Sequence, residues 1–222
     1  PSHPKSIDAQ VAHGDALRER GMDAEAEAMI TPAVGDAARA LGRHYPVQGV
    51  AALAQALNDP EPAIREAAAS ALWSAALSDE AGAREAVMAQ GDRLRVALDD
   101  RSVEVAALAA SALEAAGEPR ESVADVRRDV LRARGASAYS RFIAARGLIG
   151  LDPPATLAPV LVEWGADLYT AEATGRRGGI SGDLELLDRA LARLLREGGP
   201  GAADALAAEA GGANPVTVNL LK

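Results

Sequence analysis

The feature that most constrains this chain is an internal repeat. From Leu53 it reads L-A-Q-A-L-N-D-P-E-P-A-I-R-E-A-A-A-S-A-L-W, and from Leu94 it reads L-R-V-A-L-D-D-R-S-V-E-V-A-A-L-A-A-S-A-L-E. The two stretches align without a gap at a separation of 41 residues, and the block Ala68 to Leu72 recurs identically as Ala109 to Leu113. A period of that length suits a unit of two helices, which cannot bury its apolar stripe alone and must stack on a neighbour.

The residues within one copy say how the unit folds. Leu53 and Leu57 lie four apart on one face of a first helix. Asn58, Asp59, Pro60 and Pro62 then stop it, because proline cannot continue a helix and Asp or Asn suits a turn or an N-cap. Pro62 is well placed in the first turn of a second helix. There Ile64, Ala68, Ala71, Leu72 and Ala75 recur at the spacing of a buried stripe, with alanines where helices approach closely. The same stripe in the second copy is Val105, Ala109, Ala112, Leu113 and Ala116.

This pattern resembles the HEAT repeat family and its bacterial HEAT-like relatives. Leu57, Asp59, Pro60, Ile64, Arg65, Ala68, Ala71 and Leu72 follow its leucine helix, D-P turn, V-R-like pair and A-x-x-A-L second helix. The second copy departs at Arg101 and Ala106, losing the proline and the arginine. A looser third copy spans Val130 to Leu151, where Arg141, Ala144, Ala145 and Leu148 keep the second-helix pattern and Gly135 replaces the D-P turn. The resemblance implies an all-α solenoid of stacked antiparallel helix pairs whose usual work is protein binding.

Three regions are expected around that pattern. Residues 1–46 form an N-terminal helical cap or a degenerate repeat, with helical segments such as Asp8 to Arg20 and Pro32 to Leu41. Residues 47–151 hold the HEAT-like repeats. Residues 152–222 form C-terminal helical repeats after the stop at Asp152-Pro153-Pro154, with Leu157, Val160, Leu161 and Trp164, then Leu184, Leu187, Leu191, Leu194 and Leu195, as apolar stripes. Between them a Gly/Arg-rich loop at 174–182 is the least helical segment. The apolar run Val216 to Leu221 reads as an unfinished helix, so a truncated or continuing array is expected.

Composition agrees with this reading and narrows the partners. Hydrophobic residues make up 49% and aromatics only 3% of the 222 residues. Alanine supplies roughly a quarter, which favours close-packed helices over a β-sandwich or barrel. No apolar run reaches the ~18–20 residues of a membrane span. The net charge of -9 opposes nucleic acid and anionic membranes, so no nucleic-acid partner is expected although HEAT-like alkylpurine glycosylases hold DNA. No cysteine is present, which removes disulfides, thiolate metal sites and cysteine nucleophiles. The chain opens at Pro1 without Met or a signal-like h-region, read as a mature or excised form. A cytoplasmic location is expected, with the periplasm left open. The only lysines are Lys5 and Lys222, and the arginine bias is read first as base composition.

No catalytic, cofactor or metal residues are assigned. His3, His13 and His44 lack metal-ligand spacing, and there is no G-x-S-x-G elbow or G-x-x-x-x-G-K-[ST] loop. Asp59, Asp100 and Arg65 are read as structural, capping second helices and pairing adjacent repeats. Candidate partner contacts lie on the second helices outside the buried stripe: Glu66, Ser70 and Trp73, then Ser111 and Glu114, then Phe142 and Arg146, with Arg176 and Arg177 in the glycine-rich loop. Trp73 and Phe142 are either interface anchors or fillers between Ala-rich helices. The expected function is a non-catalytic scaffold that binds a protein or peptide along the concave face of a HEAT-like solenoid. The rival readings are a bilin-lyase-like enzyme and an accessory repeat domain of a larger enzyme.

Overall fold

The computed structural model describes residues 23–173 and 181–211. Every regular element among them is helical, and a lone parallel bridge between Ile149 and Asp152 is the only extended pairing. The chain divides into two compact units, residues 1–119 and 120–222. That division falls inside the expected 47–151 region, between the second and third copies.

Unit 1 contains α1 (Asp23–His44), α2 (Val50–Ala56), α3 (Pro62–Ala76), α4 (Ala83–Met88), α5 (Gly91–Ala97) and α6 (Val103–Ala116). The first copy is the pair α2 and α3, and the second is α5 and α6. The second helices stack: α1 packs on α3, and α3 packs on α6. The first helices α2 and α5 each pack on their own second helix. Rather than starting at Pro32, α1 runs through it from Asp23. The alanines upstream carry the helix past the hydrogen bond that proline cannot make.

The second helices are buried on more than one face. Ala68, Ala71, Leu72 and Ala75 of α3 are in the core as the stripe requires, but so are Ala67 and Ala69, whereas Ile64 is only half-buried. In α6 every residue from Val105 to Leu113 is buried. This helix is apolar all round, the property of one enclosed by neighbours, and α3, α4 and α5 all pack against it. Alanine permits such proximity, and at one crossing even alanine is too large. A Cβ on Gly42 of α1 would overlap the backbone carbonyl of Ala71 in α3.

Unit 2 starts with a 3-10 turn (Arg120–Val123) and continues through α7 (Ala124–Arg132), α8 (Ala138–Leu148), α9 (Pro154–Ala173), α10 (Ser181–Glu197) and α11 (Ala202–Gly211). Here α7 packs on α8, α8 on α10, and α9 on both α10 and α11. The expected stop at Asp152-Pro153-Pro154 is present, with α8 ending at Leu148 and α9 starting at Pro154. Trp164, Leu157 and Leu161 fill the core beside Leu187, Leu191 and Leu194, while Val160 is half-buried and Leu195 is exposed. Ser181 and Gly182, expected at the end of the glycine-rich loop, instead open α10. The rest of that loop, residues 174–180, lies outside the described residues, as do Asp8 to Arg20 and Val216 to Leu221.

Candidate functional site

The two D-x-x turns of the repeat build the same local structure. The Asp59 carboxylate accepts from the Glu61 N–H at 2.9 Å, and the Asp100 carboxylate accepts from the Ser102 N–H at 2.8 Å. Each aspartate therefore fixes the backbone two residues on, in an Asx-type turn that delivers the chain to the second helix. The N-caps themselves are Glu61, followed by Pro62, and Ser102, whose hydroxyl accepts from the Val105 N–H.

Arg65 joins the turns. Its Nε and Nη2 donate to the two Asp100 oxygens at 2.7 and 2.9 Å, and its Nη1 donates to the Asp59 and Pro60 carbonyls at 2.9 and 3.0 Å. The fork-to-fork arrangement is the strong geometry for an arginine and a carboxylate. It holds the Asp100 carboxyl below its ordinary range, chiefly through the Arg65 hydrogen bonds and against the opposing effect of burial. Pairing between adjacent copies, expected of these residues, is present between Arg65 and Asp100, whereas the expected capping is not: Asp59 and Asp100 hold the N–H of the N-cap residue, and the caps are Glu61 and Ser102.

Between the two turns lies a cleft of about 610 Å³, within the ~300–1,000 Å³ range of ligand sites. Arg65 and Asp100 line it together with Leu57, Pro60 and Pro62 from the first copy and Val96 and Arg101 from the second. Val96, on α5, is 69% exposed, an unusual place for a β-branched apolar side chain. Arg93 and Asp99 also reach this cleft. Of these residues Arg93 and Val96 did not stand out in the sequence, and Leu57, Pro60, Pro62 and Arg101 did so only as parts of the repeat pattern. The available signal was Val96 itself, an apolar residue off the Leu94–Leu98 face.

The expected contact residues divide between the two units. Glu66 is exposed on α3, and Ser70 and Trp73 are half-buried beside it. Burial pushes the Glu66 carboxyl up, with the Glu104 charge adding to the effect and Arg39 opposing it, so α1, α3 and α6 converge near this residue. Ser111 is a correction: it is buried, and its hydroxyl donates to the Ala107 carbonyl one turn back at 2.9 Å. It sits inside α6's enclosed surface and offers nothing to a partner. Glu114, near the end of α6, is half-buried. Phe142 and Arg146 belong to unit 2, where both are half-buried on α8. There Arg146 lies near the exposed Tyr139, whose hydroxyl is pushed up in pKa by burial and drawn back by the Arg146 charge. Arg176 and Arg177 lie outside the described residues.

Arginines serve unit 2 as ties also. Arg128 grips Asp152 through two bonds of 2.9 and 2.6 Å and lowers its carboxyl pKa. Arg120 donates to the carbonyls of Gly147 and Ile149 at the end of α8, where a cation complements the helix dipole. Arg127 is buried and packs so closely on Gly147 that a Cβ there would overlap its guanidinium. Arg141, which takes the third-copy position of Arg65, donates to the Ala133 carbonyl at 3.0 Å and reaches Asp167 only at 3.4 Å. Beside it is a second cavity of about 170 Å³, lined in part by Arg134 and Trp164. The arginine bias therefore has a structural use in both units, whatever its genomic origin.

No group of three or more His, Asp or Glu residues among those described is placed to hold a metal ion. No helix among them is long and apolar enough to cross a membrane. In comparison with known proteins, the chain matches no family model, no curated protein and no solved structure.

Proposed function

We propose that this chain is a non-catalytic interaction module of the HEAT-like α-solenoid class that binds a protein or peptide. The observation that carries the reading is the cleft between the two equivalent turns. Its lining joins two turns that Asp59 and Asp100 fix, includes the Arg65 tie between them, and presents Val96, Pro60 and Pro62, all exposed. A rigid frame with exposed apolar side chains binds without a large ordering cost. Glu66, exposed on α3, with the half-buried Ser70 and Trp73 beside it, supports a further contact surface in the same unit.

Panning a randomised peptide library against the immobilised full chain tests this. A consensus sequence is expected, with binding abolished by Val96→Asp, a substitution at an exposed position that leaves folding intact. A library that converges on nothing refutes the module reading.

A further inference from the structure

We infer that the turn cleft of unit 1 takes an acidic peptide segment, one carrying a carboxylate next to an apolar side chain. The inference rests on the module reading and adds the chemistry of the partner. The chain as a whole is acidic, at -9, yet the lining of this cleft is not. Five charged residues line it: Arg65, Arg93, Arg101, Asp99 and Asp100. Arg65 and Asp100 consume each other's charge in their two-bond pair. Asp59 turns its carboxylate to the Glu61 N–H and is not part of the lining. What remains in the lining is two exposed guanidinium groups against one exposed carboxylate.

Those two arginines are available. Arg93 and Arg101 are both exposed, and neither is held in an ion pair among the described residues. Arg93 makes one long hydrogen bond, 3.3 Å to the Gln90 side chain. The neighbouring Arg95 is different, since it is bound to Asp92 and Glu118 and does not line the cleft. A guanidinium offers a planar fork that matches a carboxylate in two-point geometry, so a pair of unpaired forks selects an acidic ligand. Val96, Leu57, Pro60 and Pro62 supply the apolar part of the same lining. The matching ligand therefore alternates charge with an aliphatic or aromatic side chain. A basic segment would meet two like charges here, which costs affinity and slows encounter.

The panned consensus peptide, synthesised with a fluorescent label, provides the probe. Its composition is expected to be acidic and apolar. Binding to the Arg93→Glu/Arg101→Glu double variant, followed by fluorescence anisotropy, is expected to weaken about tenfold, the change that loss of two rim charge contacts brings. Raising salt should weaken wild-type binding but not that of the double variant, whose repulsion of an acidic peptide it screens. Circular dichroism confirms the fold, and Arg93→Gln/Arg101→Gln replaces the reversal if that variant is unfolded. A basic or neutral consensus that still depends on Val96 overturns the acidic assignment and leaves the module standing. A consensus lost on Trp73→Ala but indifferent to Arg93 and Arg101 also overturns it, placing the partner on α3. Absence of any consensus sinks both.

Discussion

Arg65 in unit 1 and Arg141 in unit 2 occupy the same register of the repeat but are anchored differently. Arg65 has a D-P turn before it and an aspartate in the following copy at two-bond distance, so its fork is filled. Arg141 has no such turn aspartate after it, and the acid it reaches, Asp167, lies within the helix α9 at 3.4 Å and is 44% exposed. Its Nε finds no acceptor among the described residues, and the Trp164 indole N–H nearby is in the same condition. The difference teaches that the arginine alone does not make the tie. The Asx turn of the following copy, which holds Asp100 in place, makes it; Arg141 meets a helix-borne aspartate instead, and unit 2 has a full two-bond pair elsewhere, between Arg128 and Asp152.

The largest test of that contrast concerns how closely each unit packs. In unit 1 the tightest approach is helix backbone on helix backbone at Gly42, and in unit 2 it is guanidinium on helix backbone at Gly147. Gly42→Ala is expected to destabilise unit 1 by about 3 kcal/mol because a carbonyl cannot step aside. Gly147→Ala should cost unit 2 less, ~2 kcal/mol, since the flexible Arg127 side chain can yield part of the distance. Native-state hydrogen exchange read separately over α3 and α8 locates each loss. Equal costs, or losses in the other unit, break the comparison.

Next in size are the ties. Asp100→Asn removes a charge-assisted pair of two bonds and is expected to cost about 1.5 kcal/mol by denaturant unfolding. Asp167→Asn, at an exposed carboxylate with long contacts, should cost less than ~0.5 kcal/mol. If the two substitutions prove equivalent, the distinction between a filled and an unfilled fork has no energetic content.

Acid provides the third test. Asp100 and Asp152 titrate below the ordinary carboxylate range in the folded chain, held down first by Arg65 and Arg128. Their contribution is therefore present above that range and lost as the pH falls through ~4 and below. Glu66 acts in the opposite sense. Its raised pKa means the folded chain takes up its proton first, so stability rises slightly as mild acid neutralises it. A stability profile with a shallow rise in mild acid and a steep fall below is expected. Glu66→Gln removes the rise, and Asp100→Asn combined with Asp152→Asn flattens the fall.

Much of the fold was legible because the repeat states it twice. Leu57, the D-x-x turn, Pro62 and the Ala68–Leu72 block place α3 and α6 correctly, and Arg65 pairs with Asp100 across copies as expected, while the caps fall two residues past the aspartates, at Glu61 and Ser102. Ser111 was misplaced because a stripe argument supposes one neighbour per helix. An inner helix has several, so positions outside the stripe, such as Ala107 and Ser111, are covered as well. The copy with Glu66 and the copy with Ala107 at that position already differed in this respect. The cleft was hidden for another reason: it arises from the gap between two turns 41 residues apart, and no pattern within one copy encodes the space between copies.

The Arg65 tie also has a direction. A copy of this design carries a donor for the copy that follows and an acceptor for the copy that precedes, like the tongue and groove of a floorboard. The first copy has both parts, while the second keeps its groove, Asp100, and carries Ala106 where the tongue would stand. Tandem duplication of the first copy would therefore yield boards that lock to one another indefinitely. Duplication of the second would give boards that lie flush on their alanine faces but never latch.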